Sequence, residues 1–309
     1  MGLIGVSKKG QDALHSLMPP YILAPAMTHA HARPVITLCA DDYGLAPGLS
    51  HAIRTLIGQG RLQATGCMTG SAFWPEAAVA LKPLAGRADI GLHLTLTDQR
   101  PLAAMPDLAP GGNFPPLPVL LKRALLRRLD RTEIAAELTR QFEAFEAHFG
   151  RPPDFLDGHH HVHQLPIIGD VVLDLWRRRM GGRGWVRCCV EPRAAIMARR
   201  VNPLRALVIS ELGYGFRRKL KAANVPHNLS FRGVYDFSGR IPFAELFRRF
   251  TDQPGPRALM MVHPGLVDQA LQAADGLTHQ REAEFDFLAS DQCALSLASR
   301  GIGLARLFP

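Results

Sequence analysis

From Val35 onward, short and nearly unbroken apolar runs alternate with longer stretches whose apolar residues recur at helical spacing. Val35–Cys39 has the pattern of a strand buried on both faces. Residues 46–59 place Leu49, Ile53, Leu56 and Ile57 on one side of a helix. Leu62–Met68 reads as a second strand, 74–84 as a helix and Ile90–Leu96 as a third strand. A loop rich in Pro and Gly follows, from about Pro101 to Pro118. The clearest helix is 131–149, with Ile134, Leu138, Phe142, Phe145 and Phe149 in register, closed by Pro152 and Pro153. Phe155–Leu156 opens a fourth strand. A helix at 166–179, a strand at 184–190 and a less regular stretch at 192–240 come next. Phe243–Phe250 is expected to be helical, Ala258–Val262 a strand, 280–290 a helix, and Ile302–Leu304 a last short strand.

Such strand–helix alternation predicts an α/β fold on a parallel sheet, either a barrel or doubly wound. The sequence has no repeat, low-complexity tract or linker, so 34–309 is expected to be one domain. Residues 1–33 carry Lys8 and Lys9, a short apolar run and Ala-rich sequence, loosely like a signal peptide, but Pro19, Pro20 and Pro25 break it. The expectation is a poorly ordered extension, or a chain whose start is Met27. Nowhere are there about 20 uninterrupted apolar residues, the length of a membrane span.

Charge adds one question. The 309 residues carry a formal net charge of +9, concentrated at Lys122, Arg123, Arg127 and Arg128, at Arg177–Arg179 and at Arg217–Lys221. A basic face attracts anionic partners, but no nucleic-acid module accompanies it, so nucleic acid is not expected and solvated helix faces explain most of the charge. The five cysteines form no CxxC pair, so no disulfide framework is expected and the reducing cytoplasm is the expected location.

The candidate chemistry lies at the ends of the predicted strands, which surround the active site in parallel α/β folds. After the first strand comes Cys39-Ala40-Asp41-Asp42-Tyr43-Gly44. Two adjacent carboxylates near a core need compensation. A metal ion could neutralise one and leave the other as a base; the competing reading is a helix cap. His93, in Gly91-Leu92-His93-Leu94, reads alone as a hydrogen-bonded core histidine. Asp157-Gly158-His159-His160-His161-Val162-His163 is the strongest signal, because four imidazoles in five positions are hard to explain by packing and imidazole is a common metal ligand. In an extended chain His159, His161 and His163 would share a side. His263, in Met261-Val262-His263-Pro264-Gly265, ends an apolar run at a turn. One Asp, one strand His and one cluster His would form a three-ligand site with open positions, which is the catalytic kind. A second Asp as base and a separate His as acid complete a kit for metal-assisted hydrolysis.

These elements resemble the YdjC-like carbohydrate deacetylases (the ChbG/HpnK family): Ala40-Asp41-Asp42-Tyr43-Gly44-Leu45 with Pro47-Gly48, Gly91–Leu94, Leu156–His163 and His263-Pro264-Gly265, in matching order and spacing across about 35–305. Thr97–Leu102 pairs with a further family segment. The family more often has Phe at Tyr43 and Ser at Gly158, and the stretch 191–240 matches poorly. The resemblance implies a TIM-like (β/α) barrel related to polysaccharide deacetylase barrels, often dimeric. It implies a divalent metal, Mg²⁺ with Zn²⁺ as the alternative, on Asp42, His93 and His159. Asp41 would be the general base, His263 the acid, and Arg187 would orient Asp41 or substrate, with His161 and His163 as further substrate-binding or orienting groups. The reaction implied is removal of an N-acetyl group from a sugar. The net charge extends this to an anionic or lipid-linked sugar.

Two rival readings remain at this level. Another barrel-type metal hydrolase, an amidohydrolase or phosphoesterase, would use His161-Val162-His163, although that motif usually sits on the first strand. A basic membrane- or nucleic-acid-binding protein on an inactive barrel would make no use of the Asp and His elements.

Overall fold

The computed structural model describes residues 1–2 and 33–308; the expected N-terminal extension lies almost wholly outside the described residues. Arg33 onward forms one unit. Eight parallel strands define it: β1 (Val35–Tyr43), β2 (Ala64–Cys67), β3 (Asp89–Leu94), β4 (Phe155–Gly158), β5 (Trp185–Val186), β6 (Ser230–Arg232), β7 (Ala258–Val262) and β8 (Gly303–Leu304). Their order is β5-β4-β3-β2-β1-β7-β6, with β8 paired to the start of β1. The sheet curls into the barrel-like form expected. Between its ends, β5 and β6, Val186 N–H donates to Pro226 O, and the Asn228 side chain accepts from Cys188 N and donates to Cys188 O.

Eleven helices are described: α1 (Pro47–Gly58), α2 (Trp74–Leu81), α3 (Leu117–Leu125), α4 (Arg131–Phe149), α5 (Ile168–Arg179), α6 (Arg193–Arg199), α7 (Pro203–Ala222), α8 (Phe243–Thr251), α9 (Gln269–Ala274), α10 (His279–Ala289) and α11 (Asp291–Ala298). The main core lies between them and the sheet. Helix α4 shows why these sequences fold this way. Asp130 accepts from the N–H groups of Thr132 and Glu133, a cap worth about 1 kcal/mol, and Gly150 ends the helix in the left-handed conformation that an L side chain resists. The five apolar residues read from its sequence are all buried. Its polar Gln141 then accepts from Thr95 N at 2.9 Å and donates to Thr95 O at 2.8 Å, fixing the chain just beyond β3.

Inside the sheet, the two-residue strand period stacks side chains in layers. A lower layer holds Cys39, Ala64, Phe155, Trp185, Phe231 and Leu259. Phe155 stacks on Trp185 with centroids 4.1 Å apart. Gly91 leaves room for that pair: a Cβ there would lie 2.4 Å from the Phe155 ring. Two residues further along the same strands come Asp41, Gly66, His93, Asp157 and Arg187, so the strand period that packs the core also delivers the polar layer.

Several expectations need correction. The stretch 192–240 contains α6, the twenty-residue α7 and β6; α3 begins within the expected loop; and 184–190 is a strand only at Trp185–Val186. The histidine run is not extended. It turns tightly over His159–Gln164, kinked where His160 and His161 take left-handed backbone at φ 52° and 60°, so His159, His161 and His163 do not share a side.

Candidate active site

Asp41 and Asp42 stand where β1 breaks register. Ala40 pairs with Thr65 but Tyr43 with Cys67, so β1 holds one residue more than β2, a bulge. Asp42 takes φ 68°, a conformation that Asp tolerates better than most residues. The bulge lets both carboxylates serve one site, although neighbours on a regular strand point to opposite faces. Neither is a helix cap: α1 begins after Ala46, without a side-chain cap.

Asp42 gathers the first cluster. Its Oδ1 lies 3.0 Å from His159 Nδ1 and 3.4 Å from His93 Nε2, and the three ligand atoms fall within 4.8 Å of one another. His93 Nδ1–H donates to Asp157 Oδ1 at 2.7 Å. That bond makes Nδ1 the donor and turns Nε2 toward Asp42, as in carboxylate-oriented metal ligands. Burial opposes a charge on the ring, but Asp157 and Asp41 outweigh it and push the His93 pKa up to about 10. Gly66 makes it possible, because a Cβ there would lie 2.9 Å from His93 Nδ1. The other Asp42 oxygen accepts from Arg281 at 2.7 Å. Burial works against the charge of Asp42, but Arg281 and then His159 outweigh it and hold the carboxyl well below its usual range. Donor separations of 3.0 and 3.4 Å suit atoms that each approach one ion at about 2.0–2.2 Å. The residues therefore fit a divalent cation.

Asp41 belongs to a second, adjoining cluster. Arg187, wholly buried, reaches Asp41 Oδ2 through Nη1 at 2.7 Å and Asp41 Oδ1 through Nη2 at 2.5 Å. Its Nη2 also lies 2.7 Å from Asp157 Oδ2. Burial opposes the guanidinium charge, yet Asp157 and Asp41 hold its pKa well above the ordinary value. Asp157 thus links the clusters, with one oxygen on His93 and the other on Arg187.

A cavity of about 430 Å³ opens over both clusters and is lined by Asp41, Asp42, His93, His159, His161 and His263, among others. His263 is positioned through its backbone: its N–H donates to buried Glu284 at 2.6 Å, and Glu284 also accepts from Tyr235 OH at 2.6 Å. Burial lowers the His263 pKa to about 4. His161 faces Phe231 edge-on at 5.2 Å, with Nδ1 buried and unpartnered. His163 does not line the cavity; it is fully buried, and its Nε2–H donates to the Arg187 carbonyl at 3.1 Å. His160, named in the motif, bonds Thr97 Oγ1 at 3.0 Å.

The sequence reading gave no role to Asp157, Arg281 or Glu284. Asp157 carried a signal, since it stands two residues after Phe155 on the inward period. Arg281 carried none: it comes from α10, 239 positions from Asp42.

Comparison with known proteins places the chain. The family described as YdjC-like protein matches residues 35–299. Proteins named chitooligosaccharide deacetylase, from Yersinia pestis (strain Pestoides F) and Yersinia pseudotuberculosis serotype O:3 (strain YPIII), are each 32% identical over 266 residues, 86% of this chain and 94% of theirs. A crystal structure from Enterococcus faecalis V583, of a protein named for cellobiose-phosphate cleavage, superposes with a TM-score of 0.68 at 22% identity, covering 89% of this chain and 98% of that one, and shares the fold. With most of its length matched by the family and by these relatives, the chain belongs to the YdjC-like protein family.

Proposed function

We propose that this protein is a carbohydrate deacetylase, hydrolysing the amide of an N-acetylated sugar. The observation that carries this reading is the pairing of a three-donor cluster, Asp42, His93 and His159, with a separately held carboxylate, Asp41, in one cavity. The relatives named chitooligosaccharide deacetylase support the same chemistry.

A divalent cation bound by Asp42, His93 and His159 supplies Lewis acidity toward the amide carbonyl and acidifies water. Two imidazoles and one carboxylate suit Zn²⁺ on donor softness, whereas the family resemblance implies Mg²⁺. Arg187 spans both Asp41 oxygens, but each carboxylate oxygen has more than one acceptor direction. Asp41 therefore keeps a lone pair for the attacking water and takes its proton. Arg187 keeps Asp41 aimed. His263 is the donor to the leaving nitrogen. Because burial keeps it neutral near pH 7, the proton it passes on is one acquired during the cycle, and the water proton taken by Asp41 is the source. Arg281 and Asp157 hold Asp42 and His93 in place.

The cavity wall favours a finer reading of the substrate. Leu117, Leu121, Val208, Leu212 and Leu277 face it, and aliphatic groups cannot satisfy sugar hydroxyls. A sugar carrying an apolar group fits this wall better than a free polar chain does.

Acetate release from a panel of N-acetylated sugars, with Mg²⁺, Zn²⁺ or EDTA, tests the proposal. Release that EDTA abolishes and metal restores is expected. A metal-loaded protein that releases acetate from none of them, but hydrolyses phosphate esters or cyclic amides, would overturn it.

A further inference from the structure

The apolar lining of the cavity does not stop at its mouth. On α3, Leu117, Leu121 and Leu125 recur every four residues along one face; the first two line the cavity and Leu125 is 53% exposed. On α7, Leu204, Val208 and Leu212 do the same; the last two line the cavity, and Leu204 is 74% exposed. Leu126, next to Leu125, adds to the apolar surface at the end of α3, at 52% exposed. Two aliphatic stripes thus run from the site onto the surface, where apolar patches mark contact with another molecule or a membrane.

Charge indicates what covers them. The segment 117–128 holds Lys122, Arg123, Arg127 and Arg128 and no acid. Among the described residues, no carboxylate lies within 4.0 Å of Lys122, Arg127 or Arg128. Exposed Arg205 stands on α7 at the cavity wall. The single acid of α7, Glu211, is paired with Arg193. We propose that this face, α3 and α7 around the cavity mouth, docks on an anionic lipid surface. Aliphatic side chains would enter the boundary between headgroups and acyl chains while the cations meet the headgroups. A second copy is a poor occupant, because a two-fold contact would press two cationic faces together. Single-stranded nucleic acid is a poor one too, since the stripes are aliphatic and offer no stacking rings.

Cosedimentation of the full chain with phosphatidylcholine vesicles, with and without phosphatidylglycerol, tests this. Binding should require phosphatidylglycerol and weaken as salt rises. At about 1 kcal/mol per cation near an anionic surface, Arg127→Glu and Arg128→Glu should each weaken partitioning roughly fivefold or more. Leu125→Glu and Leu204→Glu should weaken it while leaving turnover of a small soluble N-acetyl sugar unchanged. The proposal fails if phosphatidylglycerol vesicles do not retain the protein at low salt, or if the four variants bind as the parent does. It also fails if the face mediates a dimer that Leu125→Glu dissolves, or if binding depends only on residues 1–32. The inference uses the position of the cavity and not its reaction: a chain that binds vesicles but releases no acetate would sink only the deacetylase reading.

Discussion

Arg187 grips both oxygens of Asp41, at 2.7 and 2.5 Å, from a position with no exposure to solvent. The pair makes a base that is fixed in geometry, and the same guanidinium also carries Asp157. Replacing it with lysine removes the planar fork, which an ammonium cannot reproduce. Arg187→Met leaves buried Asp41 unpaired and takes from Asp157 one of its two partners, and should cost about 3–5 kcal/mol of stability, read as a lowered midpoint in urea. Arg187→Lys should fold but lose kcat far more than KM. Wild-type kcat in the lysine variant would show that the grip is structural only.

The two clusters separate metal binding from proton transfer. Asp41→Asn should lose about 10²- to 10⁴-fold in turnover, the usual contribution of a general base, while still binding metal by calorimetry. His159→Ala should lose the metal itself. Full activity in either variant would remove that residue from the mechanism.

Asp157 is not itself one of the three proposed ligands, yet it orients His93 through a 2.7 Å bond. Asp157→Asn should weaken metal affinity about 10- to 100-fold, as loss of an outer partner does. Gly66→Ala should act in the same direction, because its Cβ would lie 2.9 Å from His93 Nδ1 and 3.1 Å from Asp157. Unchanged metal titrations in both variants would contradict the link.

Among the buried groups that make stability depend on pH, two sets act in opposite directions. Burial lowers His163 and His263 to about 4, against about 6.5 in an unfolded chain. The unfolded state binds those protons first, so this stability is complete above pH 6.5 and is lost as pH falls toward 4. Burial raises Glu284 to about 7 from the usual 4.5, and its contribution is complete below 4.5 and lost as pH rises through 7. Thermal melts of Glu284→Gln should therefore decline less than the parent between pH 5 and 7, whatever the variant's absolute stability. Parallel curves would show that Glu284 ionises normally.

Much of the fold was legible in the order of residues. Short unbroken apolar runs between turn signals fit strands covered on both faces, and the spacing of Ile134, Leu138, Phe142, Phe145 and Phe149 buries one side of a helix. The clustering of Asp41, Asp42 and His159 at strand ends marked the site, because such groups there are costly without a partner. Helices α3 and α7 were less legible, since Pro-rich and basic sequence gives a weak period where the apolar face lines a cavity instead of the core.

Tertiary structure decided the rest. The histidine run turns instead of extending, because His160 and His161 take left-handed backbone; this sends His159 to Asp42 and buries His163 beneath Arg187. Which oxygen of Asp42 faces the imidazoles is set by Arg281, from a helix 239 residues away. A sequence fixes local period and which residue types are available. Only closure of the sheet brings distant charges within a few ångströms of each other, and at that range their mutual fields determine which stay ionised and which way each is aimed.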